Sequence, residues 1–300
     1  MRALRATALT VILALITPSL FAAGLEALGA DGTTVRDLIV ALRLSRDARK
    51  AAGAGKIKPN IVSVDWTKES FIIPAAGSVQ GSNGTFFKSD VTIANRRAVA
   101  QIISVGYLAR GVNNGSAAVQ NFSIPANTTI IESDFVGRVL GKTGLGTLLV
   151  VAKTSGGAVD DLAEIDGFSR IWTPQPPLPN GSVSGGTVSQ AFESIDLEDN
   201  LATSYGYGLR QDAGYRTNVG LVNLYDTPNT FTVNVVGLLG STSFNQTVQP
   251  YSMEQPSLPG GNWGDLYIRI TSGTTNFNWW SAYGTTVDNI TGDGWVSHVH

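Results

Sequence analysis

Two stretches of this chain, 128 residues apart, spell nearly the same strand. Phe87-Lys88-Ser89-Asp90-Val91-Thr92-Ile93-Ala94-Asn95 matches Tyr215-Arg216-Thr217-Asn218-Val219-Gly220-Leu221-Val222-Asn223 position by position. The shared pattern is aromatic, base, hydroxyl, Asp or Asn, Val, any, Ile or Leu, any, Asn. A repeat of that period means two copies of a domain-sized unit. Three further pairs follow in the same order. Ile124-Pro125 lines up with Gln249-Pro250, Gly146-Thr147-Leu148-Leu149-Val150 with Gly264-Asp265-Leu266-Tyr267-Ile268, and Phe168-Ser169-Arg170-Ile171 with Trp280-Ser281-Ala282-Tyr283. Their offsets shrink to 125, 118 and 112, so the second copy has the shorter late connections.

The repeated segments read as strands. In residues 87–94, Phe87, Ser89, Val91 and Ile93 share one face and Lys88, Asp90, Thr92 and Ala94 the other. Strand-length runs broken by Gly, Asn and Pro continue to the C-terminus, the pattern of antiparallel sandwiches rather than of alternating strands and helices. The motif itself reads as a strand-and-turn signature closed by Asn95 and Asn223. One segment departs from this. Residues 33–52 place Val35, Leu38, Ile39 and Leu42 on a helical stripe, with Thr33 or Thr34 to cap the start and Arg46, Arg49 and Lys50 near the end. Its basic side suits either an anionic lipid surface or the first β unit. Residues 133–140 suggest a short helical turn in a crossover.

The opening residues read as an export signal: Arg2 and Arg5, an apolar run to Ala22, and the small residues Ala22-Ala23-Gly24. The reading is therefore of a secreted, extracellular or periplasmic protein with no transmembrane segment after cleavage. The expected divisions are a signal peptide over 1–24, a helical leader and linker over 25–56, a first β-sandwich over 57–186 and a second over 187–300. The Pro-rich stretch 173–181 is either the joint between the two or a long loop inside the first, whose last strand is then residues 187–195. That leaves the boundary open between 186 and 200.

Charge and chemistry narrow the function classes. The formal net charge is −2 and the last 114 residues carry three bases against ten acids. No basic stripe suits nucleic acid. There is no cysteine, hence no thiol nucleophile and no Cys-ligated zinc. Gly137 to Thr143 has three residues between its glycines where a phosphate loop needs four. The two histidines, His298 and His300, stand at the end of the chain, poor support for a serine-histidine pair. Calcium is the one cofactor the acids suggest, at Glu193, Asp196, Glu198 and Asp199, with solvated loop charge the competing reading. Four of six tryptophans lie in the second copy. Phe277, Trp279 and Tyr283 share one strand face there, which either stacks on a sugar or partner surface or packs internally.

The export signal, Ile73-Pro74-Ala75-Ala76, Lys88-Ser89-Asp90-Val91, the repeat segment from Arg216 to Asn223, and Val287-Asp288-Asn289-Ile290-Thr291-Gly292-Asp293 together resemble a class of uncharacterised secreted bacterial proteins. That resemblance implies tandem immunoglobulin-like sandwiches and an exported location; it brings no catalytic or binding residues. The combined expectation is an all-β, non-enzymatic binding, adhesion or structural protein that contacts a protein or glycan, or a second copy of itself, through sheet edges or the aromatic face of the second unit. The alternative within that class is a carbohydrate-binding protein.

Overall fold

The computed structural model describes residues 25–52, 68–81, 84–175, 181, 185–197, 202–274 and 279–299. The export signal, the joint after the helix, Phe277, Glu198, Asp199 and His300 lie outside the described residues.

The repeat is real at the level of strands. The first unit contains β1 (Glu26–Gly29), α1 (Val35–Ala51), β2 (Ser70–Gln80), β3 (Phe86–Asn95), β4 (Gln101–Ala109), β5 (Gln120–Ile124), β6 (Thr128–Glu132), β7 (Gly144–Lys153), β8 (Ile165–Pro174) and β9 (Thr187–Glu193). The second contains β10 (Thr203–Gln211), β11 (Tyr215–Asn223), β12 (Asn229–Gly237), β13 (Gly240–Val248), β14 (Ser252–Glu254), β15 (Gly264–Ser272), β16 (Trp280–Asp288) and β17 (Gly294–His298). In the second unit, one antiparallel sheet runs β10-β15-β12-β13 and the other β14-β11-β16-β17. The first unit has the same two sheets, β2-β7-β4-β5 and β6-β3-β8-β9. There the β2–β3 hairpin joins them into one nine-stranded sheet, and β1 is added beside β5. This order differs from that of an immunoglobulin domain, whose first two strands share a sheet. Here the first strand, β10, lies beside β15, while β11 sits in the opposite sheet.

Ladder register corrects the alignment read from sequence. Asn95 faces Ile165 and Asn223 faces Trp280, so Trp280 is the counterpart of Ile165, three residues from the expected Phe168, and Trp279 of Glu164. Ala109 faces Gly146 and Gly237 faces Leu266, which sets the β7–β15 offset at 120. The offsets then fall through 128, 124, 120 and 115 as successive loops shorten. Both first strands carry a bulge at the same place, between Ile73 and Ala76 and between Gly206 and Leu209.

A second correction concerns the boundary. Residues 187–193, placed at the start of the second unit, pair along their whole length with β8, from Phe168 against Glu193 to Pro174 against Thr187. The Pro-rich stretch therefore spans a hairpin inside the first unit, closed where the Gln175 amide donates to the Gly186 carbonyl at 2.9 Å. The division at 186/187 cuts that sheet, and the second unit begins after Leu197.

The two units stack. Val219 and Leu221 of β11 lie in the second unit's own core with Phe231, Val233, Ile268, Ile270 and Trp280. Val222, Leu224, Tyr251, Met253 and Tyr283 join the first unit's core instead. The outer face of the β14-β11-β16-β17 sheet is thus laid on the first unit. This explains a feature of composition. Leu148-Leu149-Val150-Val151-Ala152 of β7 is apolar without alternation and wholly buried, because the sheet is covered on both faces. β15 alternates strictly: Leu266, Ile268 and Ile270 are buried and Asp265, Tyr267 and Arg269 are not.

The helix completes the covering layer. Thr34 caps α1, accepting from the Asp37 amide while Asp37 accepts from Thr34, the reciprocal box that satisfies two first-turn donors. Val35, Leu38, Ile39 and Leu42 are fully buried, worth about 2 kcal/mol each. Of the basic residues, Lys50 is exposed, but Arg43, Arg46 and Arg49 turn onto protein. Arg46 and Arg49 reach Glu69 at 2.9 and 2.8 Å, and Arg43 donates to the Leu224 carbonyl at 2.9 Å. Of the two readings of this helix, packing on protein is the one the structure bears out. No described helix is long and apolar enough to cross a membrane.

Candidate functional site

The residues expected to form an aromatic face are not on an open surface. Tyr283 is fully buried and meets the Phe192 ring edge-on at 5.2 Å. Burial pushes its hydroxyl pKa far above the ordinary tyrosine value. Trp279 is half-buried between the two cores, with the guanidinium carbons of Arg43 and Arg46 at 4.8 and 5.5 Å from its ring. Alternation correctly set these two side chains on one face, but that face is the one laid against the first unit. Phe277 lies outside the described residues.

Of the four acids read as a possible calcium site, Glu193 and Asp196 are among the described residues. Asp196 forms an ion pair with Lys68 at 2.8 Å, and Lys68 also holds Asp166 at 3.0 Å. Burial raises the pKa of Asp166, but hydrogen bonds from Ser194 and Lys68 outweigh it and leave the carboxyl below its usual value. Glu193 projects outward from β9. Among the described residues, no group of three or more acids or histidines could hold a metal ion. Glu198 and Asp199 lie outside the described residues.

The surface that stands open is the outer face of β10-β15-β12-β13. Its position explains why. The same face of the first unit, on β2-β7-β4-β5, is buried under α1 and the second unit. No described layer covers the copy in the second unit. The side chains changed accordingly. Ladder register pairs Tyr205 with Ile72 and Tyr267 with Thr147, both fully buried in the first unit. Three tyrosines gather there. Tyr205 and Tyr207 lie with rings 10° from parallel and centroids 6.2 Å apart; Tyr267 stands 6.5 and 6.0 Å from them. Tyr207 is 61% exposed and Tyr267 36%.

The bulge aims them. Tyr207 and Gly208 together oppose the single residue Tyr267, and Gly208 adopts φ +69, a conformation that suits glycine. Beside them opens a groove of about 720 Å³ lined by Tyr207, Arg210, Leu238, Asp265, Tyr267 and Trp295, among others. The Trp295 indole donates to the Gly208 carbonyl at 2.7 Å, tying β17 to the bulge. Tyr215 meets Trp295 at 5.8 Å and carries the Arg210 guanidinium 4.6 Å above its ring. Leu238 and Leu239, at the β12–β13 turn, are 79% and 66% exposed. The arrangement offers aromatic faces and apolar edges bordered by two cations, Arg210 and Arg269, one carboxylate, Asp265, and the polar side chains of Asn234 and Thr232. That set can hold a flat ligand with apolar CH faces and hydroxyl edges.

Sequence reasoning missed this surface although a signal existed. Tyr205 and Tyr207 are two apart in a strand, and Tyr267 alternates with buried Leu266 and Ile268. What the sequence lacked was the knowledge of which sheet face remained open. No protein-family model matches this chain, and no curated protein matches it significantly.

Proposed function

We propose that this chain is a non-enzymatic binding protein acting outside the cytoplasm, and that its second unit takes carbohydrate on the Tyr205, Tyr207 and Tyr267 face. The observation that carries this reading is a group of three tyrosines, Tyr207 and Tyr267 exposed and Tyr205 half-buried, where the duplicated unit otherwise buries Ile72 and Thr147. Tyrosine gives a rigid apolar ring with a polar tip, at little cost in side-chain entropy. Sugar rings present CH faces to such rings and hydroxyls to groups such as Asn234, Asp265 and Arg269. The export signal supports a location where glycans are met. A stacked pair of β units with a buried seam suits a scaffold that holds a surface, which supports binding or adhesion over chemistry.

The test is retention by polysaccharides in affinity electrophoresis and on a glycan array. The intact protein binds at least one glycan class, and Tyr207→Ala with Tyr267→Ala lowers that affinity at least tenfold without changing the far-ultraviolet circular dichroism. Binding untouched by both substitutions, or no glycan bound at all, rejects the reading.

A further inference from the structure

We propose that the free edge of β13 pairs with β13 of a second copy of this chain, antiparallel and across a two-fold axis, so that two β10-β15-β12-β13 sheets become one continuous sheet. This does not rest on the carbohydrate reading.

β5 and β13 are the same strand of the duplicated unit, 124 residues apart. In the first unit that edge is occupied: β1 adds to β5 antiparallel, with Glu26 against Ser123 and Ala27 against Phe122. The corresponding positions on β13 are Thr247 and Gln246. Among the described residues no strand lies beyond them. The fold thus shows that this edge accepts an antiparallel strand, and leaves one such edge open.

The sequence of β13 then points to the occupant. Exposed edges are normally blunted by lysine, proline, a bulge or shortness. Gly240–Val248 reads GSTSFNQTV, with no charge and no proline. It keeps continuous register with β12 over all nine residues. Such an edge has nothing with which to choose a charged peptide, and nothing to repel itself. A two-fold pairing is self-complementary by symmetry, each residue meeting a residue of the same strand. The outer side chains already bond across the β12–β13 pair, Thr230 with Thr247 at 2.8 Å and Thr232 with Asn245 at 2.9 Å. A second β13 extends that row with Ser243, Asn245 and Thr247. Phe244, half-buried at the rim of the core, would meet its own counterpart.

A stacked, head-to-tail mode fits less well. It would lay the outer face of β6-β3-β8-β9 on the tyrosine face. By ladder register that first-unit face carries Asp166 and Arg170 where the docked face of the second unit carries the buried Ser281 and Thr285.

The experiment is sedimentation equilibrium on the full secreted chain over a concentration series, for the unaltered protein and for Ser243→Lys with Asn245→Lys. A concentration-dependent dimer, weakened at least tenfold by the two lysines, supports the edge. A monomer at every concentration overturns the proposal, and so does a dimer the lysines leave intact. Because the chain has no cysteine, single cysteines placed in turn from Ser241 to Thr247 give an independent readout. Oxidative cross-linking that peaks at one position marks the two-fold axis; cross-linking equal at all positions contradicts ordered pairing. Tyr207→Ala must leave the dimer unchanged.

Discussion

At the residue scale, the last position of the repeat motif is its most informative. The Asn95 amide donates to the carbonyls of Val99, Ile124 and Pro125 at 2.8, 3.3 and 3.0 Å, and its oxygen accepts from the Arg97 amide. Asn223 does the same to Thr227, Val248 and Gln249 at 2.9, 3.2 and 3.0 Å, and accepts from Tyr225. One side chain closes its own turn and ties it to the end of the next-but-one strand. Both residues are buried, so removing the amide strands several carbonyls. Asn223→Ala and Asn95→Ala are each expected to cost about 3 kcal/mol, read as a lower midpoint in urea at unchanged slope; Asn→Asp at either site should do no better, because it removes the donors. The partner position shows how copies diverge. Asn127 and Tyr251 share φ 50. Asparagine tolerates that left-handed backbone, while tyrosine is strained by it. Tyr251 keeps it with its ring buried in the seam between units. The motif was legible in sequence as a turn signature; the two carbonyls at the end of the next-but-one strand were not, since they lie 25 to 30 residues further on.

At the element scale, α1 behaves as a clamp over the seam. Its apolar stripe and Thr cap were legible from spacing, because a helix and its cap are local. Its partners were not, because they come from Glu69, Leu224, Tyr225 and Trp279. Burial alone raises the Glu69 pKa, but Arg46 and Arg49 outweigh it and hold the carboxyl below its ordinary value. A depressed folded-state pKa contributes stability above the unfolded value near 4.5 and loses it as pH falls through the lower folded value. Unfolding titrated from pH 7 downward should therefore show an acid limb, and Glu69→Gln should flatten that limb while lowering stability at pH 7 by about 3 kcal/mol. Arg43→Ala should loosen the middle of the helix on the seam, seen as amide exchange that speeds up in α1 and not in β4. The place of β9 stayed open in sequence for a physical reason. Four prolines between Pro174 and Pro179 spell a stiff spacer whether they join domains or cap a hairpin.

At the scale of the whole molecule, the two units have separate cores but one seam. Tyr283, Met253 and Leu224 of the second unit belong to the core of the first. The Asn114 amide nitrogen reaches the Tyr251 carbonyl at 2.9 Å, and Arg110 pairs with Glu254 at 3.0 Å. Calorimetry should accordingly show one cooperative unfolding transition; two resolved transitions would mean that the units unfold apart. The unbroken apolar run of β7 was the legible sign of this stacking, since only a sheet covered on both faces can carry it. Without it, alternation says which side chains share a face but not which face meets water, and for that reason the face of Trp279 and Tyr283 stayed open in sequence between a partner surface and internal packing. Everything said of function depends on which face that is. Brief nitration of the native protein, mapped by mass spectrometry across its eight tyrosines, reads it directly: Tyr207 and Tyr267 should be modified first while Tyr251 and Tyr283 stay protected, and early modification of Tyr283 with Tyr207 protected would contradict the stacked arrangement and the open tyrosine face together.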